Sequence, residues 1–271
     1  MSPFGMAIVV PTLELFANEF QSNYSTIQFI ISAYLFGLAI AQPFMGFLSD
    51  KLGRKPVMIS GIILFIFASY ICMTAEDLST LIIARFFQGI GGSVGTVTSR
   101  AIIRDSYSGD MAAKSLSRVT ATMGMAPMIA PVVGAFALSL TGSPNGIFMV
   151  TLFIGFAILI PVLFFLPETV TKSDSEREKS VWYKSYSKLL RSEIFVGSTF
   201  IYGFTTGSFF AILAVGSTVF SKNLGIESTG FGLIWSSLTI LYASASFYAG
   251  SLTARIGLMR VLNLGVSLNL I

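Results

Sequence analysis

A short charged turn between two apolar segments holds the residues best suited to ionic chemistry. An aspartate, two lysines and an arginine fall within six residues of one another, beside two glycines. An aspartate at a helix end can accept hydrogen bonds from the N-terminus of a neighbouring helix or pair with an arginine, and a glycine lets another helix come close. The candidate residues of this turn are Gly46, Asp50, Lys51, Gly53, Arg54 and Lys55.

Two interpretations of this turn stay open. It can be a gating latch that stabilises one conformational state, since a latch needs the carboxylate of Asp50 and the close approach that glycine permits. Alternatively, Lys51, Arg54 and Lys55 only fix the direction in which the flanking segments cross a membrane, because cationic loops stay on the cytoplasmic side.

An arginine inside an apolar segment is the second candidate. Arg85 lies about six residues into an apolar segment, at a depth where a guanidinium costs several kcal/mol unless it is paired or hydrated. Gln88 and Gly92 continue the same helical face, followed by Thr96 and Ser99. This polar stripe predicts one wall of a cavity, with Arg85 holding a carboxylate or a polar substrate group. The alternative is an arginine that anchors the helix near the interface.

A third pattern consists of small residues and prolines at alternating spacings of four and three. These spacings place them on one face of a helix, where they predict either a tight packing seam or a pliant gate. The residues are Thr120, Gly124, Pro127, Pro131 and Gly134.

Aromatic residues are abundant, with 25 Phe, nine Tyr and two Trp, and most of them are expected to face lipid or other helices. A few lie where they could contact an apolar or cationic compound. These possible substrate contacts are Tyr34, Tyr202, Phe209 and Trp235.

The elements that position these residues are predicted to be membrane helices. The chain is 54% hydrophobic and 11% charged, with a mean hydropathy of +0.78, whereas a soluble domain has about 25% charge. Long uninterrupted apolar runs predict helices rather than barrel strands, which alternate with period two. Partial spans are predicted at 1–17 and from 261, and complete spans at about 27–48, 57–75, 79–103, 116–140, 146–166, 194–219 and 229–252.

Residue types exclude several classes of function. One cysteine and no histidine exclude a disulfide framework and a Cys/His metal site, and any proton transfer must use carboxylates. An intramembrane enzyme is not expected either, since no histidine and no paired membrane carboxylates occur. The pI of about 9.2 does not indicate nucleic acid, because the basic residues lie in loops on one predicted side. Of the 17 Lys and Arg residues only Arg85 and Lys222 lie elsewhere, which predicts that this side and the N-terminus are cytoplasmic.

The chain also contains a degraded internal repeat. Gly250, Leu252, Gly257 and Val261 stand 204 positions after the same residue types at positions 46, 48, 53 and 57. Such duplication is typical of secondary transporters, whose substrate sites lie between the repeats. We predict a first helical bundle at 1–166, a hydrophilic linker at 167–193 and the beginning of a second bundle at 194–271.

These motifs resemble a known family. Gly46 to Lys55 is similar to the loop signature between the second and third helices of the major facilitator superfamily. Four further stretches resemble its Bcr/CflA-type drug-resistance branch: Arg85 to Gly92, Ala101 to Asp105 with Tyr107, Ala126 to Gly134, and Leu166 to Thr169. The resemblance implies an all-α, two-bundle transporter of twelve helices, here truncated at both ends, from the end of the first helix to the start of the ninth. It also implies a monomer in the bacterial inner membrane that needs no cofactor and exports small amphipathic drugs in exchange for protons.

The sequence departs from this branch at one position. Ala7 stands four residues before Pro11, where the branch usually carries an aspartate, and the nearest following acid is Glu14. Glu14 is therefore the candidate coupling residue, since Asp50, Asp105 and Glu168 lie at predicted cytoplasmic helix ends. Transport of a sugar or amino-acid metabolite, and a membrane remnant without transport activity, remain the alternatives.

Overall fold

The computed structural model describes the backbone of residues 1–170, 187–224 and 228–269. All regular secondary structure in these ranges is helical, which confirms the all-α prediction. The helices are α1 (Ser2–Ala7), α2 (Leu13–Glu19), α3 (Tyr24–Ile27), α4 (Phe29–Leu52), α5 (Arg54–Met73), α6 (Leu78–Ser106), α7 (Gly109–Thr141), α8 (Ile147–Phe165), α9 (Glu193–Leu224), α10 (Ser228–Ile256) and α11 (Leu258–Asn269).

Each predicted complete span coincides with one long helix, from α4 to α10. Within the described residues, four segments are both long and apolar enough to cross a membrane: Tyr24–Leu52, Arg54–Met73, Gly109–Thr141 and Pro144–Phe165. Helix α6 has 29 residues and a length of about 44 Å. It has the length to cross as well, but it carries Arg85 and Gln88.

The first predicted span is not one continuous half-helix. Helix α1 ends at Ala7, a 3-10 turn follows at Val10–Thr12, and α2 begins at Leu13. Pro11 lies in this 3-10 turn and has no backbone N–H to donate to the preceding turn, so a regular α-helix cannot continue through it.

Specific residues set the boundaries of the long helices. Gly53 separates α4 from α5 with φ of 101°, and Gly142 ends α7 in the left-handed region. Asp77 caps α6, since its carboxylate accepts the Thr80 backbone N–H at 2.8 Å. These boundaries place the charged turn at the junction of α4 and α5.

Helix α6 packs against both α4 and α5, while α8 packs against α5 and α1 against α7. Glycines allow the backbones to approach closely. A Cβ atom at Gly91 would lie 2.5 Å from the backbone nitrogen of Phe65 and 2.7 Å from the carbonyl oxygen of Gly61, both on α5. The α5–α6 contact is therefore set by backbone against backbone.

The described residues form two compact units. One comprises Met1–Ser175 with Ala243–Ile271, and the other lies within Glu176–Tyr242. The first unit contains α1 to α8, the second half of α10, and α11. The second unit contains α9 and the first half of α10. All the contacts analysed below belong to the first unit.

We expect Gly91→Ala to destabilise the protein by about 1–3 kcal/mol, because the new methyl group overpacks the backbone of α5. Gly95→Ala is the matched control. It gains the same helix propensity, but its Cβ would come no closer than 3.9 Å to another residue, the side chain of Met1. Thermal unfolding of the two purified variants in detergent measures the difference. Equal midpoints would contradict a backbone contact at Gly91.

Candidate functional site

Arg54 joins three helices at the charged turn. Its Nε donates to the Asp105 carboxylate at the end of α6 at 2.9 Å, and its Nη1 donates to Ser49 Oγ at 2.7 Å. The same Nη1 forms an ion pair with Asp50 near the end of α4. We call Ser49, Asp50, Arg54, Asp105 and Glu168 the turn network. Because Arg54 has two carboxylate partners from different helices, it connects α4, α5 and α6.

Glu168, which follows α8, caps the N-terminus of α5. Its carboxylate accepts the backbone N–H groups of Arg54 and Lys55 at 2.8 and 3.1 Å. A Cβ atom at Gly53 would lie 2.5 Å from Glu168 Oε2, so the glycine makes room for the carboxylate as well as adopting a positive φ. A negative charge at this position also interacts favourably with the α5 helix dipole.

The Glu168 carboxyl is an unusually strong acid in this position. Burial opposes its ionisation, but backbone N–H donors from Val170, Arg54, Lys55 and Thr169 outweigh that effect and lower its pKa below the usual range. The network therefore keeps the carboxylate charged at neutral pH.

Further contacts attach the segment after α8 to the same junction. Lys55 Nζ donates to the Leu163 carbonyl at 2.9 Å, and Thr169 Oγ1 donates to Asp105 at 3.2 Å. Gly46 accepts the Ser49 hydroxyl through its carbonyl at 2.9 Å. Lys51 is exposed, and in the described part of the chain it forms no ion pair. Four of the six predicted turn residues thus come together, namely Asp50, Gly53, Arg54 and Lys55.

Arg85 is fully buried in the interior of the first unit. Its Nε donates to the Ile30 carbonyl at 3.1 Å, and its Nη1 donates to the Gly5 carbonyl at 2.9 Å and to Gln88 Oε1 at 2.5 Å. Its Cζ lies 4.3 Å from the centroid of the Tyr34 ring, within the range of a cation–π interaction. The remaining nitrogen, Nη2, has no hydrogen-bond partner among the residues that the structure describes.

Gln88 connects Arg85 to two further helices. Its Nε2 donates to Ser69 Oγ on α5 at 2.7 Å and to Thr151 Oγ1 on α8 at 3.2 Å. We call Tyr34, Ser69, Arg85, Gln88 and Thr151 the buried network. All five residues are at most 1% exposed.

The polar stripe on α6 was predicted to line a cavity, but the structure places it in the packed interior. Arg85, Gln88 and Gly92 lie inside the packed interior, because α4 and α5 cover this face of α6. The polar partners of Arg85 in the described residues are carbonyl and amide oxygens rather than a carboxylate. Glu14 is exposed in the first turn of α2.

The predicted aromatic contacts are dispersed. Tyr34 is buried against Arg85, and its hydroxyl donates to the Ser2 carbonyl at 3.0 Å. Tyr202 on α9 is exposed. The side chains of Phe209 and Trp235 lie outside the described residues.

The small-residue face of α7 packs against α1. A Cβ atom at Gly134 would lie 2.5 Å from the Ile8 carbonyl oxygen, and Pro127 is buried, while Gly124 and Pro131 are half-buried. Helix α7 continues through both prolines. The structure therefore places this seam at a helix contact.

A cavity of about 420 Å³ lies between α1, α7 and α8. Its walls are mainly apolar, with Arg118 as the charged member. The lining residues are Met1, Pro3, Phe4, Arg118, Val119, Thr122, Met123, Ala126 and Ile154. None of these residues was predicted from the sequence as a cavity wall, although Ala126 begins a stretch that resembles the drug-resistance branch. Among the described residues, no group of three or more His, Cys, Asp or Glu side chains could hold a metal ion.

Comparison with known proteins gives matches along the whole chain. The family model described as Major Facilitator Superfamily matches residues 1–271. The uncharacterized MFS-type transporter YdgK of Bacillus subtilis is 30% identical over 92% of this chain and 63% of its own length. The bicyclomycin resistance protein homolog of Haemophilus influenzae is 24% identical over 99% of this chain and 67% of its own.

Further similarity extends to a multidrug resistance protein and to a solved structure. The multidrug resistance protein MdtL of Vibrio parahaemolyticus is 27% identical over 91% of this chain and 63% of its own length. The crystal structure of the human organic anion transporter MFSD10 superimposes with a TM-score of 0.69, at 16% identity, over 92% of this chain and 69% of that one. The chain thus spans about two thirds of the length of these proteins.

The cap formed by Glu168 gives a pH prediction. A carboxyl with a lowered pKa in the folded state stabilises the protein above its ordinary pKa, and this contribution is lost as pH falls through the folded-state value. Thermal midpoints of the protein and of Glu168→Gln should therefore differ at neutral pH, and the difference should shrink below about pH 4.3. Glu76→Gln serves as the control, since Glu76 is exposed and has no described hydrogen bond. A difference that stays constant down to pH 3 would contradict the role of the Glu168 charge.

Proposed function

Because the chain belongs to the Major Facilitator Superfamily, we propose that it forms the first bundle, the linker and the start of the second bundle of a transporter that exports drugs or other small amphipathic compounds by alternating access. The boundaries we propose are 1–166, 167–193 and 194–271. Two relatives named for bicyclomycin resistance and multidrug resistance support this substrate class. The chain is a multi-pass membrane protein and a transporter rather than an enzyme. We place it in the bacterial inner membrane as a monomer.

The observation that carries this proposal is the sharing of Arg54 between Asp50 and Asp105. A loop that only fixes topology needs cations facing the cytoplasm and has no use for carboxylates that neutralise them. Here two carboxylates from α4 and α6 hold the guanidinium, and a third, Glu168, caps its helix. This arrangement supports a latch that moves these helices as one body when the transporter changes state.

The orientation and the energy source belong to the same proposal. Basic residues concentrate beside the turn network, so we assign that side, and the N-terminus, to the cytoplasm. We propose the proton gradient as the energy source, with no cofactor. Arg85 keeps its charge and cannot carry the proton, and Ala7 replaces the aspartate of the drug-resistance branch. Glu14 is the first carboxylate to test, since it is exposed and lies in the first turn of α2, just after the 3-10 turn that follows α1.

The cavity between α1, α7 and α8 has room for a small compound. Its apolar walls suit the body of an amphipathic molecule, and Arg118 could contact a polar end. Export assays over a panel of drugs, sugars and amino acids, in cells expressing the longest open reading frame that contains this chain, test the substrate class. Transport of sugars or amino acids alone would overturn the proposed class.

The latch can be separated from a topological role by two matched substitutions. Arg54→Gln and Lys51→Gln each remove one positive charge from the same turn. In the described part of the chain, Arg54 has carboxylate partners and Lys51 has none. We expect both variants to reach the membrane in normal amounts, and we expect Arg54→Gln alone to reduce drug export by about tenfold or more, since it breaks partially buried ion pairs. Membrane abundance is measured by immunoblot beside export. Equal losses of abundance in both variants would favour the topological interpretation.

Arg85 should not tolerate lysine. Its guanidinium donates from Nε and Nη1 to three acceptors, whereas an ammonium makes point contacts and reaches fewer of them. We expect Arg85→Lys to insert normally but lose most export, and Arg85→Ala to lose all of it. Both variants are compared at equal membrane abundance. Normal export by Arg85→Ala would show that the buried network has no part in transport.

A further inference from the structure

We propose that Ser69 and Thr151 are positioning residues, which set the orientation of the Gln88 amide and through it hold the Arg85 guanidinium. The effect of this arrangement on transport rests on the proposed function. The positioning of Gln88 and Arg85 does not depend on that function. Neither hydroxyl has a hydrogen bond to Arg85. They belong to α5 and α8, while Gln88 and Arg85 belong to α6.

The hydroxyl hydrogens of Ser69 and Thr151 are donated to carbonyl groups of their own helices. Ser69 Oγ donates to the Phe65 carbonyl at 2.7 Å, and Thr151 Oγ1 donates to the Phe148 carbonyl at 2.8 Å. A hydroxyl has one hydrogen to donate and two lone pairs that accept. Since both hydrogens are used within their own helices, both oxygens face Gln88 as acceptors.

The partners of the Gln88 side-chain amide determine its orientation. Two acceptors on one side require the Nε2 group of Gln88 to face them, which places Oε1 on the opposite side, 2.5 Å from Arg85 Nη1. A flipped amide would set its NH₂ group against the guanidinium, donor against donor, and its oxygen against two acceptors. The hydrogen-bond partners thus permit a single orientation.

The surroundings of these side chains exclude bulk water. Ser69, Arg85, Gln88 and Thr151 are all buried, so bulk water does not compete for these groups, and a wrong orientation cannot be compensated by solvent. The other acceptors of Arg85 are backbone carbonyls of Ile30 and Gly5, whose positions are fixed by their helices. Gln88 is the side-chain acceptor in this set. Hydroxyl groups on α5 and α8 bond its amide directly and reach Arg85 only through it.

The test measures coupling between residues that are not bonded to each other. Ser69→Ala with Thr151→Val removes both acceptors and nearly keeps the shape of the side chains, and Arg85→Met removes the guanidinium. Thermal midpoints are recorded for the purified hydroxyl double variant, for Arg85→Met and for the two combined. The same series is then repeated in a protein that carries Gln88→Met. We expect the combined change to deviate from additivity by about 3 °C or more with Gln88, and to be additive with Gln88→Met. Additive effects in both backgrounds would overturn the proposal.

Conservative variants extend the test to transport. Thr151→Ser keeps the acceptor and should retain the midpoint and export, whereas Thr151→Val should lower both. If Thr151→Ser behaves like Thr151→Val, the hydroxyl does not position Gln88 and the proposal fails. If the combined variants do not fold, the comparison of Thr151→Ser with Thr151→Val decides on the midpoint alone. An unaltered protein that exports none of the compounds would refute the proposed function, while the midpoint cycle would still test the positioning role.

Discussion

A guanidinium buried away from bulk water must find its acceptors inside the protein, and this constraint organises the interior of the first unit around Arg85. Arg85 draws on carbonyls of α1 and α4 and on the amide of Gln88, so three polypeptide segments must approach closely. Glycine on α6 makes the approach feasible. Gly89 lies one turn after Arg85 and faces the backbone of Tyr34, which lies one turn after Ile30. The same helix crossing therefore provides both the close contact and an acceptor.

The two arginine networks use different partners because their surroundings differ. Arg54, at a helix end, is held by two carboxylates that stay partly exposed, so these ion pairs have a smaller desolvation cost than fully buried ones would have. Arg85 has neutral acceptors and an aromatic face, which impose a smaller desolvation cost than a buried carboxylate would. The turn network can consequently exchange partners with modest loss, while the buried network favours one fixed geometry.

Hydropathy and turn signals predicted the helices and the charged turn, since these depend on residues close in sequence. The break at Pro11 could have been predicted from the missing N–H, but an apolar pattern alone favoured one half-helix. The partners of Arg85 could not be predicted, because a backbone carbonyl has no sequence signature. For the same reason the stripe from Arg85 to Gly92 predicted a shared face without showing which helices cover it. Glu168 lies 114 residues from Arg54, and nothing local links them.

The buried network also constrains how the chain is made. Thr151 follows Gln88 by 63 residues, so α6 is synthesised well before α8 can complete its hydrogen bonds. An arginine near the centre of an isolated membrane helix costs about 2.5–3.5 kcal/mol on insertion scales. We thus expect α6 to move from the translocation channel into lipid slowly. It should stay beside α4 and α5 until α8 has been synthesised. We therefore expect the insertion of α6 into lipid to be coupled to its packing against the neighbouring helices.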